Sequence, residues 1–91
     1  MPWNTRKLML EGDAMEYQER ISKDIDLLSK NLKEIDSIEL KLVEKEILDR
    51  AKSYRDDAWY YLEKKDFMTS FGCITYAHGL IDSLRMIYSI I

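Results

Sequence analysis

The sequence predicts an all-α fold, an up-and-down bundle of three helices closed by a tight C-terminal antiparallel hairpin. Three observations carry that prediction. Apolar residues recur at spacings of three and four along most of the chain, the pattern of helices buried along one stripe. No alternating apolar–polar run bounded by turn residues occurs, so strand signals are absent. The breakers are few, Pro2 and the glycines Gly12, Gly72 and Gly79, which leaves room for long elements and none for a linker or a second domain.

Residues 1–12 read as an N-terminal tail, and residues 13–91 as one three-helix domain. The opening MPWNTRKLMLEGD lacks the long apolar core and small-residue cleavage site of a signal peptide. The first helix is expected over about 13–35, where Tyr17, Ile21, Ile25, Leu28, Leu32 and Ile35 form one stripe. On its outer face Glu16 precedes Arg20, Glu19 precedes Lys23 and Asp26 precedes Lys30, each an acid four residues before a base, the favourable order.

The second helix is expected over about 38–63, with Leu40, Val43, Ile47, Ala51, Tyr54, Ala58 and Tyr61 as its stripe. Neither glycine nor proline separates it from the first. A phase slip between Ile38 and Val43 marks the boundary, with Asp36 and Glu39 as a capping pair. One bent helix over 13–63 is the alternative. The third helix, over about 66–89, starts cleanly after Lys64-Lys65 with Asp66 as N-cap. Its broad face is Phe67, Phe71, Ile74, Ala77, His78, Ile81, Leu84 and Tyr88. A connection of two or three residues forces the second and third helices antiparallel.

Gly72 and Gly79 lie inside this last helix, where each costs roughly 1 kcal/mol against alanine. A hairpin centred on residue 65 sets Ala58 opposite Gly72, Ala51 opposite Gly79 and Tyr54 opposite Tyr76. The expectation is a structural seam of Ala51, Ala58, Gly72 and Gly79 that brings two backbones close. The rival reading is a ligand held against the glycine backbone.

Composition narrows the function classes. The hydrophobic share of 46% and charged share of 34% describe an ordered chain. A net charge of −3 argues against nucleic-acid binding. The lone Cys73 excludes an internal disulfide and fits a reducing cytoplasm. The apolar stretch FMTSFGCITYAHGLIDSLRMIYSII carries Asp82 and Arg85 near its middle, each costing about 2.5–3.5 kcal/mol on insertion scales, so a buried helix is expected and no membrane span.

His78 and Asp82 stand one helical turn apart, a spacing that can seat a metal or orient an imidazole. A metal needs at least three ligands, and two are placed, so His78 is expected as a hydrogen-bonded residue at the bundle edge, with no metal and no cofactor. Cys73 and His78 lie roughly 140° apart around one helix and cannot form a nucleophile–base pair. No phosphate-binding glycine loop occurs, and no catalytic constellation is present. The aromatic residues Tyr54, Trp59, Tyr60, Tyr61 and Tyr76, beside Arg55, Asp56 and Asp57, form a candidate protein-binding surface. The candidate site comprises Tyr54, Asp57, Trp59, Tyr60, Tyr76, His78 and Asp82.

The hairpin has the spacing of a tetratricopeptide unit, without a second copy. A closer resemblance is carried by RAKSYRDDAWYYLEKKDFMTSFGCITYAHGLIDSLR, residues 50–85. Ala51, Tyr54, Asp57, Ala58, Tyr61, Leu62, Asp66, Phe67, Phe71, Cys73, Ile74, Tyr76, Ala77, Gly79, Leu80 and Asp82 match the block typical of an archaeal family called domain of unknown function 357, which this chain resembles. Lys65 stands where that block has a helix-stopping glycine, and Ser70 where it has an alanine. The resemblance implies a three-helix bundle and an archaeal cytoplasmic origin, and brings no catalytic residues.

The functional expectation is a protein-interaction or scaffold module, a homodimer or an accessory subunit. The third helix carries more apolar surface than a three-helix core can cover: Met68, Tyr76, Leu80, Met86, Ile87, Ile90 and Ile91 lie off its main face. Its C-terminal half, with part of the first helix, is the expected interface. The tail, with Trp3, Leu8 and Leu10, is the alternative cover. A small-molecule or metal-binding protein using Tyr54, Tyr76, His78 and Asp82 is the alternative function.

Overall fold

A computed structural model describes residues 11–89, with side chains from Met15 onward. Trp3, Leu8, Leu10, Ile90 and Ile91 lie outside the described residues. Three helices follow one another: α1 (Glu11–Asp36), α2 (Leu42–Glu63) and α3 (Phe67–Ile87). No strand occurs among the described residues, and the three helices pack as a bundle.

The first two helices are separate. The chain leaves α1 through a bond from Ile38 N–H to the Ile35 carbonyl (2.9 Å), and buried Leu40 plugs the connection against the core. The helix start differs from the expected Asp36–Glu39 pair. Asp36 stays in the last turn of α1, 3.6 Å from Lys52 of α2. Glu44 does the capping instead, accepting the Lys41 N–H at 2.9 Å, which satisfies one of the orphan amides of the first turn.

The hairpin turn is tied on both sides. Lys65 takes the left-handed conformation, φ 62°. Its N–H bonds the Leu62 carbonyl (3.0 Å), and the Asp66 N–H bonds the Tyr61 carbonyl (2.9 Å). This is the paired closure of a Schellman motif, which usually seats glycine at the left-handed position. Asp66 then caps α3 as expected, its carboxylate accepting the Thr69 N–H at 3.3 Å.

Of the expected α1 stripe, Ile21, Ile25, Leu28, Leu32 and Ile35 are buried and Tyr17 is partly buried, while Asn31, outside the stripe, is also buried. On α3 the buried stripe is Phe67, Ser70, Ile74, Ala77, Ile81 and Leu84, while Phe71 is 48% exposed. Ser70 enters the core because its hydroxyl donates to the Ala58 carbonyl at 2.6 Å, so no polar group is stranded. On α2 the buried residues are Leu48, Ala51, Ala58 and Leu62, and Val43 is 66% exposed. Two apolar stripes lie side by side on α2, and the periodicity of the sequence mixes members of both.

The glycine seam is overturned. Gly72 and Gly79 are exposed, and a Cβ built on either meets nothing within 4 Å. The close approach of α2 and α3 uses Ser70 against Ala58. One heptad along, the same register sets Ala77 opposite Ala51, all four residues being buried. The turn closes about one residue earlier than a centre at Lys65 requires. That slides α3 by two positions against α2 and turns the glycines outward.

Helix α3 runs antiparallel to α2 and parallel to α1. His78 of α3 bonds the Asp24 carbonyl of α1 at 2.9 Å, and Arg85 lies 3.6 Å from Glu34. Helices α2 and α3 share the largest interface, and α1 and α2 the smallest.

Candidate functional site

The hairpin offers two grooves, one on each side, and α1 fills only one. His78 and Arg85 mark the filled side through their contacts with Asp24 and Glu34. Tyr76, two residues before His78, points about 200° away around α3 and meets Tyr54 of α2 edge to face, with ring centroids 4.6 Å apart. The second groove therefore runs along the hairpin on the side opposite α1.

Two rows line it. Val43, Ile47, Tyr54 and Tyr61 lie along α2, and Cys73, Tyr76, Leu80 and Ile87 along α3. Counted with Arg50 and Asp57 on α2 and Ser83 on α3, both rows keep the alternating three-and-four spacing of a heptad stripe. Ile47, Tyr54, Cys73 and Leu80 rest against the edge of the core, while Tyr76 is 48% and Ile87 59% exposed. Each helix thus carries a core stripe and, beside it, a second stripe left open, as in a four-helix bundle lacking its fourth helix.

Arg50 and Asp57 complete the α2 row at the same spacing. Both are exposed, and neither takes part in an ion pair among the described residues. Cys73 is an unpaired thiol. Burial pushes its pKa up, with the nearby carboxylates of Asp57 and Asp66 adding to the shift, so it is the opposite of an activated nucleophile.

The candidate site residues divide among four surfaces. Tyr54, Tyr76 and Asp57 belong to the open groove. Trp59 lines a crevice between α1 and α2 with Ile25, Ser29, Arg55 and Asp56. Tyr60 faces outward, its ring edge on Tyr61 and the Lys64 ammonium 5.4 Å from its centroid. His78 and Asp82 sit on the α1 side. The Nε2 of His78 donates to the Asp24 carbonyl, which fixes the tautomer because a carbonyl can only accept. Asp82 pairs with Arg85 at 3.4 Å. The grouping of Tyr54 and Tyr76 with His78 and Asp82 into one small-molecule or metal site is therefore not formed. Among the described residues no group of three or more His, Cys, Asp and Glu side chains could hold a metal ion.

One link fastens the end of α3 to the start of α2: the Tyr88 hydroxyl donates to the Glu44 carboxylate. That bond, helped by the Lys41 N–H, holds the Glu44 carboxyl below its usual range. The same bond, with some burial, raises the Tyr88 phenol.

The groove rows were partly visible in the sequence, because Tyr54 and Tyr76 were expected to meet. Val43, Ile47, Arg50 and Cys73 escaped the candidate set, although the spacing from Val43 to Tyr61 carries the signal.

Residues 23–90 match the model of a family described as protein of unknown function (DUF357). No curated protein matches the chain. Among the described residues no helix is long and apolar enough to cross a membrane.

Proposed function

The chain belongs to the DUF357 family of unknown function, and from that premise we propose that it is a protein-interaction module that docks helices of a second polypeptide in the open groove of its α2–α3 hairpin. One observation carries this reading: a second heptad stripe on each of two adjacent helices, mainly apolar and only partly covered, on the side away from α1. A mainly apolar strip of this kind, interrupted on α2 by Arg50 and Asp57, is costly to leave in water and marks an interface. The acidic balance, −3 overall, suits a protein partner better than nucleic acid. The unpaired Cys73 suits a working place in a reducing cytoplasm.

The test compares capture from native cells by tagged wild type, a Tyr76→Arg/Ile87→Lys variant and a Leu27→Lys control. Leu27 is exposed on α1, away from the groove. The groove variant should lose its companions, and the control should keep them. Equal capture by all three removes the reading.

A further inference from the structure

Resting on that reading, we infer that the groove is filled by the same groove of a second copy of this chain. The two hairpins lie antiparallel about a two-fold axis that passes beside Ser53 and Tyr54.

The charges single out this occupant. Along the α2 row only Arg50 and Asp57 are charged, they are opposite in sign, and neither has an ion-pair partner among the described residues. They stand at equal distances from a point between Ser53 and Tyr54, near the middle of the row. A two-fold contact is self-complementary, so a residue at one position meets its counterpart position on the other copy and the reverse. With the axis at that point, Arg50 faces the partner subunit's Asp57, and Asp57 faces the partner subunit's Arg50. A parallel two-fold pairing would lay α2 on the other copy's α3, whose row carries no charge, and leave Arg50 and Asp57 unmatched, which selects the antiparallel one. An unrelated helix would have to supply an acid and a base at matching spacing. A second copy has them by construction.

The same axis passes the Tyr54–Tyr76 pair. Two half-open tyrosines then sit at the centre of the contact, where anchor residues carry most of the binding energy. The charged pair lies farther out, toward the rim. Val43 comes over the Tyr61 end of the other copy's α2, and on α3 Cys73 faces the partner subunit's Tyr76 beside the axis. From Val43 to Tyr61 the face is about 27 Å long and, two helices across, about 20 Å wide. That footprint, on the order of 500 Å² before surface roughness is counted, falls below the ~800 Å² per partner of a standard interface and suits a weak, reversible dimer.

Sedimentation equilibrium of the full chain across the micromolar range tests the pairing. The wild type should be a dimer. Arg50→Glu and Asp57→Arg should each weaken it about tenfold or more, because each change acts twice through the symmetry. The double variant Arg50→Glu/Asp57→Arg should recover most of the loss. These positions are exposed, and unchanged far-UV circular dichroism would confirm that the variants fold. A wild-type monomer at every concentration overturns the pairing, as does a dimer that ignores both charge reversals or is not rescued by the double variant. A monomer whose capture of another protein still depends on Tyr76 and Ile87 would leave the interaction module standing and remove only the self-pairing. A dimer indifferent to Tyr76→Arg/Ile87→Lys would place the self-association elsewhere and remove the self-pairing of the groove.

Discussion

At the residue scale the two helical glycines of α3 are the plainest lever on stability. Neither sits in a close contact: a methyl group added at Gly72 or Gly79 meets open space. What remains is the conformational freedom that glycine gives the unfolded chain. Gly72→Ala and Gly79→Ala should therefore each stabilise the protein by roughly 0.5–1 kcal/mol, read as a higher urea midpoint at unchanged slope. A larger side chain at Gly79 has nothing to overpack. Lys65 is the reverse case. It holds the left-handed conformation, which costs an L-residue about 1–2 kcal/mol and glycine almost nothing. Lys65→Gly recovers part of that strain while adding glycine's own unfolded-state entropy, so a net gain of about 0.5–1 kcal/mol is expected in the same titration. A loss on substitution would show that Lys65 does more than close the turn.

At the element scale the Glu44–Tyr88 bond closes the bundle end away from the hairpin turn, and its pH dependence has two limbs. Glu44 titrates lower in the folded protein than in the unfolded one. Its contribution is therefore complete above the ordinary carboxylate range and disappears as pH falls through the lowered folded value. Tyr88 titrates higher when folded, so its contribution is complete below the ordinary phenol range and disappears as pH rises through the raised folded value. Melting temperatures from about pH 3 to about pH 11 should show Glu44→Gln flattening the acid limb and Tyr88→Phe flattening the alkaline one. Unaltered limbs in both variants would mean that the bond does not persist in solution. The elements also differ in how plainly the sequence announces them. Helix α1 has one apolar stripe and a mainly polar remainder, so most of its core face was legible from the period, though not buried Asn31. The Asp66 cap was legible because it relies on local chemistry alone. Helix α2 carries two stripes of the same period, and period alone cannot say which faces inward. Ser70 was hidden because burial of its hydroxyl depends on the Ala58 carbonyl of another helix. The Tyr54–Tyr76 contact survived the register error because tyrosines reach across a two-residue offset, whereas glycines do not.

At the scale of the whole molecule cohesion is uneven. The hairpin shares the larger interface, and α1 is held through one stripe, two polar contacts to α3 and Lys52–Asp36. Openings that release α1 while leaving the hairpin closed are the expected low-energy excursions. Native-state hydrogen exchange should protect the amides around Ile74 and Ile81 at least about tenfold more than those around Ile25 and Leu28. Equal protection in both helices would indicate a single cooperative unit. The parity of the helix count has a further geometric effect. With α1 and α3 parallel, the start of α1 lies at the end of the rod that holds the hairpin turn, and the end of α3 lies at the other. A fluorophore joined ahead of Glu11 and another joined after Ser89 would stand apart by about the length of α1, roughly 39 Å for its 26 residues. Energy transfer between them would then report the opening of the bundle directly, since release of α1 changes that separation more than any motion within the hairpin.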